Sequence, residues 1–547
     1  MKNDLPRVRL RGPLGAALRT TAVNRLKKVD YRLLESPFLR RSENDSGWRC
    51  EFWGKIVRSA ILANHSLRDP ELDEIIRTTV RNIMATRTPD GCISSYPAEK
   101  QTSAWDIWGR KYVLLALLRY YELVEQDEAV RRCCADVLDH LMSQVGPGKK
   151  DIRSCGDHGG LAASSILGAV VGVYRITGEK RFLEYAKYIV GTGCSLAHDI
   201  FAAARAGTAP EAIGNGKAYE LTSCFQGLAE LYRITPCREY REACEAYFSA
   251  IREHEIFVTG VGGLKDCCGE YWYDGAFKQT RSDSGILGET CVTTTYLHYC
   301  EAMSRLTDTA VPMNEAERSL YNGILGAMSP DGTAWIHGNP TPLTGGGAKI
   351  PADDQIKRGF GTPFGGNDCC LAQGPEALAL APRLAVVLLP GGGAALNLLE
   401  PLDALLPDGT EIHVSGDYPY GPSAEISLRS AEEFRLRLRV PRFCTKVTVN
   451  GVPCQFSAGE YLELTRPWQA EDRIGMEFDF SLRELPAPDG SPFTAVLRGP
   501  IVLAEPLNAP GSAAVNASWR GRRLVDYASA GSRMCAEDTF TVWFPND

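Results

Sequence analysis

Ile166-Leu-Gly-Ala-Val-Val-Gly-Val-Tyr174 runs into the polar break Arg175-Ile-Thr-Gly178, and Arg181-Phe-Leu-Glu-Tyr-Ala-Lys-Tyr-Ile189 follows. The first segment is apolar on nearly every side. The second carries apolar residues near i, i+3, i+4 and i+7, the spacing that lines one face of a helix. The plan recurs along the chain. Phe225 to Ile251 repeats it around Leu231-Tyr-Arg-Ile-Thr235, and Tyr112 to Met142 breaks near Glu125-Gln-Asp127. Ile61 to Met84 breaks at Arg68-Asp-Pro70, and Tyr296 to Leu325 after Arg305-Leu-Thr307. Such repeated hairpins imply a helical repeat architecture. An open solenoid is one solution. A closed toroid of about six hairpins fits better, because the inner helices carry aromatic and polar residues rather than a pure Leu/Ala stripe.

The pattern changes after about residue 390, where Leu389-Pro-Gly-Gly-Gly393 punctuates the chain. Phe434-Arg-Leu-Arg-Leu-Arg-Val440 alternates strictly between apolar and basic, as a strand with one buried face does. Lys446-Val-Thr-Val-Asn-Gly451 places Asn-Gly between apolar alternations, a strong hairpin signal. Tyr461-Leu-Glu-Leu464 and Ile474-Gly-Met-Glu-Phe-Asp-Phe480 alternate as well, and together these short strands predict a β-sandwich. The fold class expected is therefore multidomain α + β. Residues 1–30 form a lead-in, 31–390 a helical toroid and 391–547 the β-sandwich region. Arg7 to Lys28 is basic but interrupted by Pro13 and Gly15, and reads as a solvated segment.

The 547 residues exceed what one ordinary core supports. Their composition, 44% hydrophobic and 23% charged, is globular. A net charge of -7 with no large basic cluster argues against a nucleic-acid partner. No 18-residue apolar run argues for a membrane span. The opening MKNDLPRVRLRG shows no apolar signal core, so the cytoplasm is the expected location. Eighteen scattered cysteines in such a chain are expected to be reduced thiols or metal ligands rather than disulfides.

Two local features offer chemistry: Gly288-Glu-Thr-Cys291 and Asn367-Asp-Cys-Cys370. Together they hold one carboxylate and three thiols, a donor set that completes a tetrahedron around a thiophilic cation. Glu289 and Cys291 share a side of an extended backbone, or converge at a helix N-terminus. Cys369 and Cys370 are adjacent, so joint ligation is expected to need irregular backbone, for which Gly365-Gly366 supplies freedom. Spacing alone is weak here, because Cys133-Cys134 and Cys267-Cys268 are also doublets and buried cysteine is common.

An ordered series of motifs resembles glycoside hydrolase family 127. Glu51-Phe-Trp-Gly-Lys55, Pro89-Asp-Gly91, Glu289-Thr-Cys291, Glu317-Arg-Ser-Leu-Tyr-Asn-Gly323, Pro330-Asp-Gly332, Asn339-Pro340 and Cys369-Cys370 follow in the family's order. In the β region Arg439-Val-Pro441, Val449-Asn-Gly451, Tyr461, Arg466-Pro-Trp468 and Arg498-Gly-Pro500 do the same. The resemblance implies an (α/α)6 barrel followed by β-sandwich domains, and an exo-acting, retaining β-L-arabinofuranosidase-like hydrolase. It implies a Zn2+ held by Glu289, Cys291, Cys369 and Cys370, with Cys369 as nucleophile. It implies an acid/base glutamate in a Gly-Glu element, matched by Gly269-Glu270, with Asp274 the competitor and Asp266 third. A non-catalytic sugar-binding protein with a structural zinc is the rival reading. A lyase or epimerase on the same barrel, with His158 or His337 as base, is another.

Departures from the pattern surround the cluster. Leu371-Ala-Gln-Gly-Pro375 follows the doublet, and His337 stands where an aromatic residue is common. Ser223-Cys-Phe-Gln-Gly227 lacks a histidine that many relatives carry, and Gln226 stands near its place. His158, Trp272, His337 and Gln226 are the expected substrate-binding residues. Trp105 and Trp108 are either a sugar platform or core. The partner expected is a small oligosaccharide or glycoside; a homodimer is allowed by this reading and not specified by it.

Overall fold

The computed structural model describes residues 5–43, 47–265, 269–281, 286–342, 369–430, 432–506, 512–532 and 540–546. Six helices form a closed inner ring: α1 (Cys50–Leu67), α2 (Asp106–Leu123), α3 (Leu167–Thr177), α4 (Ala218–Tyr232), α5 (Thr290–Ser304) and α6 (Cys369–Ala385). Each packs on the next, and α6 closes on α1. A helix with neighbours on every side must be apolar all round, and α1 buries nearly its whole length from Cys50 to Asn64. The stretch His158–Thr177 reaches a mean hydropathy of 1.4 for the same reason, with 67% of it buried inside the barrel.

The outer helices carry a single buried stripe. Pro70–Ala85 buries Leu72, Ile76, Thr79, Val80 and Ile83, and its Asp69 side chain caps the start by accepting from the Glu71 and Leu72 N–H groups. Glu128–Gln144, Lys180–Gly191, Arg238–His254 and Val311–Arg318 complete further hairpins. The predicted (α/α)6 barrel is the observed one.

The opening segment differs from the expected solvated lead-in. Pro13–Thr21 is a helix packed on α6, where it takes the sixth place of the outer layer. Pro13 sits at the helix start, a position that suits proline, rather than interrupting the segment. Gly15 is required there, since a Cβ would lie 2.1 Å from the Leu10 carbonyl oxygen. The Leu14 and Gly15 N–H groups both donate to the Glu400 carboxylate at 3.2 Å, a cap supplied from the far side of the sequence. Arg7–Leu10 is a strand that pairs antiparallel with Leu402–Leu405 of the β region. Its alternation is Val8 and Leu10 in, arginines out.

After Ala385 the chain turns directly into strands. A seven-stranded sheet, from Arg7–Leu10 through Leu402–Leu405, Glu411–Gly416, Ser423–Arg429, Arg473–Phe478 and Cys444–Val449 to Val452–Pro453, faces a four-stranded one. The latter contains Glu433–Arg439, where Phe434, Leu436 and Leu438 point inward as the alternation predicts. Asn450 and Gly451 adopt positive φ values of 53° and 80° between Val449 and Val452, the expected tight hairpin turn. A third sheet follows from Leu482 onward. Asn322 bonds it to the barrel, donating to the Pro500 carbonyl at 3.1 Å and accepting from the Val502 N–H at 2.8 Å. The described cysteines are all free.

Candidate active site

A small three-stranded sheet, Gly263–Lys265, Ile286–Glu289 and Gly338–Pro340, delivers the first half of the site. Glu289 is the last residue of its strand and occupies the N-cap position of α5, with its side chain turned to the cluster rather than to the helix N–H groups. Cys291 lies in the first turn of that helix. The Thr290 hydroxyl donates to the Ile336 carbonyl at 2.6 Å, and the Asn339 amide donates to the Thr290 hydroxyl at 3.0 Å, which locks the strand-to-helix junction. The second half comes from α6, whose first two residues are Cys369 and Cys370. Cys369 and Cys370 themselves have helical backbone; Gly365 and Gly366, and the irregular backbone expected from them, lie outside the described residues.

The four donor atoms of Glu289, Cys291, Cys369 and Cys370 all lie within 4.8 Å of one another. Cys369 Sγ is 3.9 Å from Cys370 Sγ and 3.8 Å from Glu289 Oε1, and Cys370 Sγ is 3.4 Å from the same oxygen. Sulfur ligands at about 2.3 Å around a tetrahedral centre stand roughly 3.7 Å apart, so the quartet has the dimensions of a cation site. Glu289 Oε2 is buried without a hydrogen-bond partner, which a cation would satisfy. Glu289, Cys291 and Cys370 are wholly buried, and Cys369 is half-buried. The residues present fit a metal ion.

Crowding governs the protonation of this cluster. Burial raises Cys291 and Cys370 well above the ordinary thiol value, and raises Glu289 with the neighbouring Glu270 charge adding to it. Cys369 goes the other way. Hydrogen bonds from the Cys291 and Cys370 thiols hold it well below the usual value against its burial, and His337 and Lys55 add positive charge. Cys369 is the member of the quartet that most readily carries the negative charge.

Glu270 stands beside the quartet. Lys217 Nζ is 2.8 Å from Glu270 Oε2, and the Ala218 N–H donates to the Glu270 carbonyl at 2.7 Å. Burial would raise this carboxyl, but Lys217 outweighs it and holds Glu270 below the usual glutamate value. Asp274 is elsewhere, 3.2 Å from His254 Nδ1 and partly exposed. Asp266 lies outside the described residues. His337 Nε2 is 3.2 Å from Glu289 Oε1, so it belongs to the cluster. His158 lines the same space, edge-on to Trp105 at 5.4 Å and to Tyr271 at 6.2 Å. Burial and then Lys217 lower its pKa to about 4, so its imidazole is neutral at physiological pH.

Two expected substrate-binding residues are placed differently. Trp272 is buried, and its indole N–H donates to the Tyr247 hydroxyl at 2.8 Å, which makes it barrel wall; the neighbouring Tyr271 faces His158 instead. Gln226 lies toward the far end of α4, in the wall of a different cavity. Tyr271 and Trp272 lie in irregular backbone at the isolated Lys217–Tyr271 bridge and turn to different partners, His158 and Tyr247, and two helical turns separate Gln226 from the cluster. Trp108 is core, donating to Glu51 Oε2 at 2.5 Å, while the half-buried Trp105 meets His158.

Lys217 is a functional neighbour not expected from the sequence, and Glu51 and Lys55, the ends of the Glu51-Phe-Trp-Gly-Lys55 motif, take a place beside the cluster that the motif did not assign them. Lys55 pairs with Glu51 at 3.0 Å, and its charge reaches both Cys291 and Cys369. Lys217 carried a faint signal: it follows Asn215-Gly216 immediately before α4, where side chains project from a helix start.

The family model described as β-L-arabinofuranosidase, GH127 catalytic domain, matches residues 14–383, and that for the GH127 middle domain matches 401–480. This chain belongs to glycoside hydrolase family 127. It is a glycoside hydrolase and acts on a glycoside. A non-reducing end β-L-arabinofuranosidase of Bifidobacterium longum subsp. longum is 23% identical over 498 residues, spanning 81% of this chain and 73% of that protein. The fold matches that of a GH127 β-L-arabinofuranosidase from Geobacillus stearothermophilus T6, with a TM-score of 0.77 at 16% identity over 98% of this chain and 99% of the other. A second GH127 β-arabinofuranosidase structure matches with a TM-score of 0.78 at 18% identity, over 100% of this chain and 98% of the other.

Proposed function

We propose that this GH127 member is a retaining exo-glycosidase that removes a terminal β-L-arabinofuranose or a closely related sugar. Cys369 acts as nucleophile and Glu270 as acid/base. Glu289, Cys291, Cys369 and Cys370 would hold zinc, which keeps coordinated thiols deprotonated at neutral pH. The observation that carries this reading is an asymmetry: three of the four donors are wholly buried, and Cys369 alone of the four keeps access to solvent. A purely structural site has no need of such an opening.

In the proposed reaction Cys369 Sγ attacks the anomeric carbon as the bond to the leaving oxygen breaks, and Glu270 gives that oxygen its proton. Glu270 then takes a proton from water, which displaces the sulfur with overall retention. The Lys217 contact favours the ionised, base-ready form of Glu270. Lys217 therefore sets the pH at which the acid half of the cycle works. The changed surroundings, His337 and Leu371 to Pro375 among them, support a terminal sugar related to arabinofuranose rather than restricted to it. A cytoplasmic enzyme of this kind would act on short glycosides.

Elemental analysis paired with a screen of nitrophenyl furanosides and pyranosides tests the proposal on the wild type and on Cys369→Ala. About one zinc per chain is expected, with hydrolysis abolished in the variant. Turnover that survives loss of Cys369 would overturn the mechanism.

A further inference from the structure

The opposite mouth of the barrel holds a second cavity of about 850 Å³. Its walls run along the inner helices from Tyr112, Tyr219 and Gln373 to last-turn residues such as Arg119, Ile176 and Arg383, whereas Cys291, Cys369 and Cys370 lie in the first turns of α5 and α6. Tyr112, Tyr219 and Gln373 form the layer between the two: the Tyr112 and Tyr219 hydroxyls are hydrogen bonded to each other, and Tyr219 donates to Gln373 Oε1 at 2.6 Å. A cavity of this size falls within the roughly 300–1,000 Å³ of small-molecule sites.

Among its described lining residues, arginine outnumbers glutamate seven to three, with no aspartate. Positive side chains at helix C-termini ordinarily cap the last carbonyls, but here their hydrogen bonds run to shared carboxylates. Arg383 spans Glu301 at 3.2 Å and Glu122 at 3.4 Å, and Arg305 reaches the same Glu301 at 2.7 Å. Arg119 also pairs with Glu122. Arg58 is 5% exposed and pairs with Glu376 at 2.7 Å, while its Nε is buried without a hydrogen-bond partner. Glu122 and Glu301 thus each serve two arginines, and the Arg58 Nε donor is left over. Burial lowers Arg119 from its usual value, and the nearby Arg383 adds to that against the pull of Glu122, whereas for Arg383 burial is outweighed by Glu122 and Glu301, which hold it above its usual value. Leu115, Leu118 and Ile176 add an apolar collar, and Gln226 adds a neutral amide.

We propose that this cavity is a binding site for a small organic anion, phosphorylated or carboxylated, whose charge is taken by Arg119, Arg305 and Arg383 and whose polar body meets Gln226. Planar guanidinium groups suit both phosphate and carboxylate oxygens. The site stands apart from the reacting groups and does not depend on their assignment.

Isothermal titration calorimetry at low ionic strength with inorganic phosphate, citrate and glucose 6-phosphate tests it. Saturable binding of at least one organic probe is expected, tighter than that of inorganic phosphate. Preference for glucose 6-phosphate assigns a phosphoryl ligand, and preference for citrate a carboxylate one. Gln226→Glu, which keeps the volume and adds a negative charge, and Arg305→Gln should each weaken binding by about tenfold or more. Arg429→Gln, which removes an equal charge from the exposed β region, should leave it unchanged, with thermal melts confirming that all three variants fold. No saturable heat with any probe up to about 10 mM, or equal affinity in wild type and both cavity variants, would overturn the site.

Discussion

Lys217 Nζ lies 2.8 Å from Glu270 Oε2, a buried cation placed by the start of an inner helix against the carboxyl that stands over the thiol cluster. The pair ties the pH behaviour of the site to one side chain. Lys217 favours ionised Glu270, so its removal should raise the Glu270 pKa and keep the acid form to higher pH. Lys217→Met is expected to move the alkaline limb of the kcat/KM profile upward by about one pH unit or more. A limb that stays in place, or moves down, would show that Glu270 is not the group being titrated.

The quartet makes a prediction about stability as well as chemistry. Metal binding to preassembled thiols contributes directly to folding. Cys291→Ser should lower the bound metal well below one per chain by elemental analysis, and chelation should lower the wild-type Tm, with recovery on adding zinc. A Tm indifferent to chelator would remove the cation from this site.

The β-sandwich is bolted to the barrel by a buried charge. Arg439 pairs with Glu317, donates to the Asn397 carbonyl at 2.5 Å and to Asn314 Oδ1 at 2.9 Å, and the Tyr418 hydroxyl donates to Glu317 at 2.6 Å. Arg439→Met would strand the Glu317 charge in the interior. A loss of about 3–5 kcal/mol is expected in urea denaturation; a loss under about 1 kcal/mol would mean that the interface tolerates the unpaired carboxylate.

Inner helices α3 and α4 approach through glycine. A Cβ on Gly227 would lie 2.7 Å from the Gly168 backbone nitrogen and 2.9 Å from the Leu167 side chain. Gly227→Ala should therefore destabilise by about 1–3 kcal/mol despite the better helix propensity of alanine. Stabilisation would show that the helices can part without cost.

Trp272 as barrel wall predicts a change in stability without a change in substrate affinity. Trp272→Phe loses the hydrogen bond to Tyr247 and should cost about 1 kcal/mol or more, with KM unaltered. A raised KM at unchanged Tm would return Trp272 to the substrate.

Much of this arrangement was legible in the sequence, because it rests on periodicity. The apolar and amphipathic halves of each hairpin announce inner and outer helices, and the alternation from Phe434 to Val440 announces a strand with one buried face. The Asn450-Gly451 turn is legible for an equally local reason, the positive φ that both residues tolerate. The cluster was legible as residue types, although its choice among three cysteine doublets came from the resemblance to a family and not from spacing.

Local pattern carries no record of partners distant in sequence, and the rest depended on them. The opening residues looked solvated because Val8 and Leu10 gain their neighbours from Leu402–Leu405, and Pro13–Thr21 its cap from Glu400. Aromatic content could not tell Trp272 from Tyr271, since full burial of one and partial burial of the other beside His158 follow from which way each points. Lys217 and Glu270 are ordinary surface residue types until the barrel closes and removes water from between them. The sequence determined which helices, strands and ligand types this protein has, because those follow from neighbours a few residues apart. Only the closed ring decided which charges meet, because electrostatic pairing acts through space and strengthens where the fold excludes solvent.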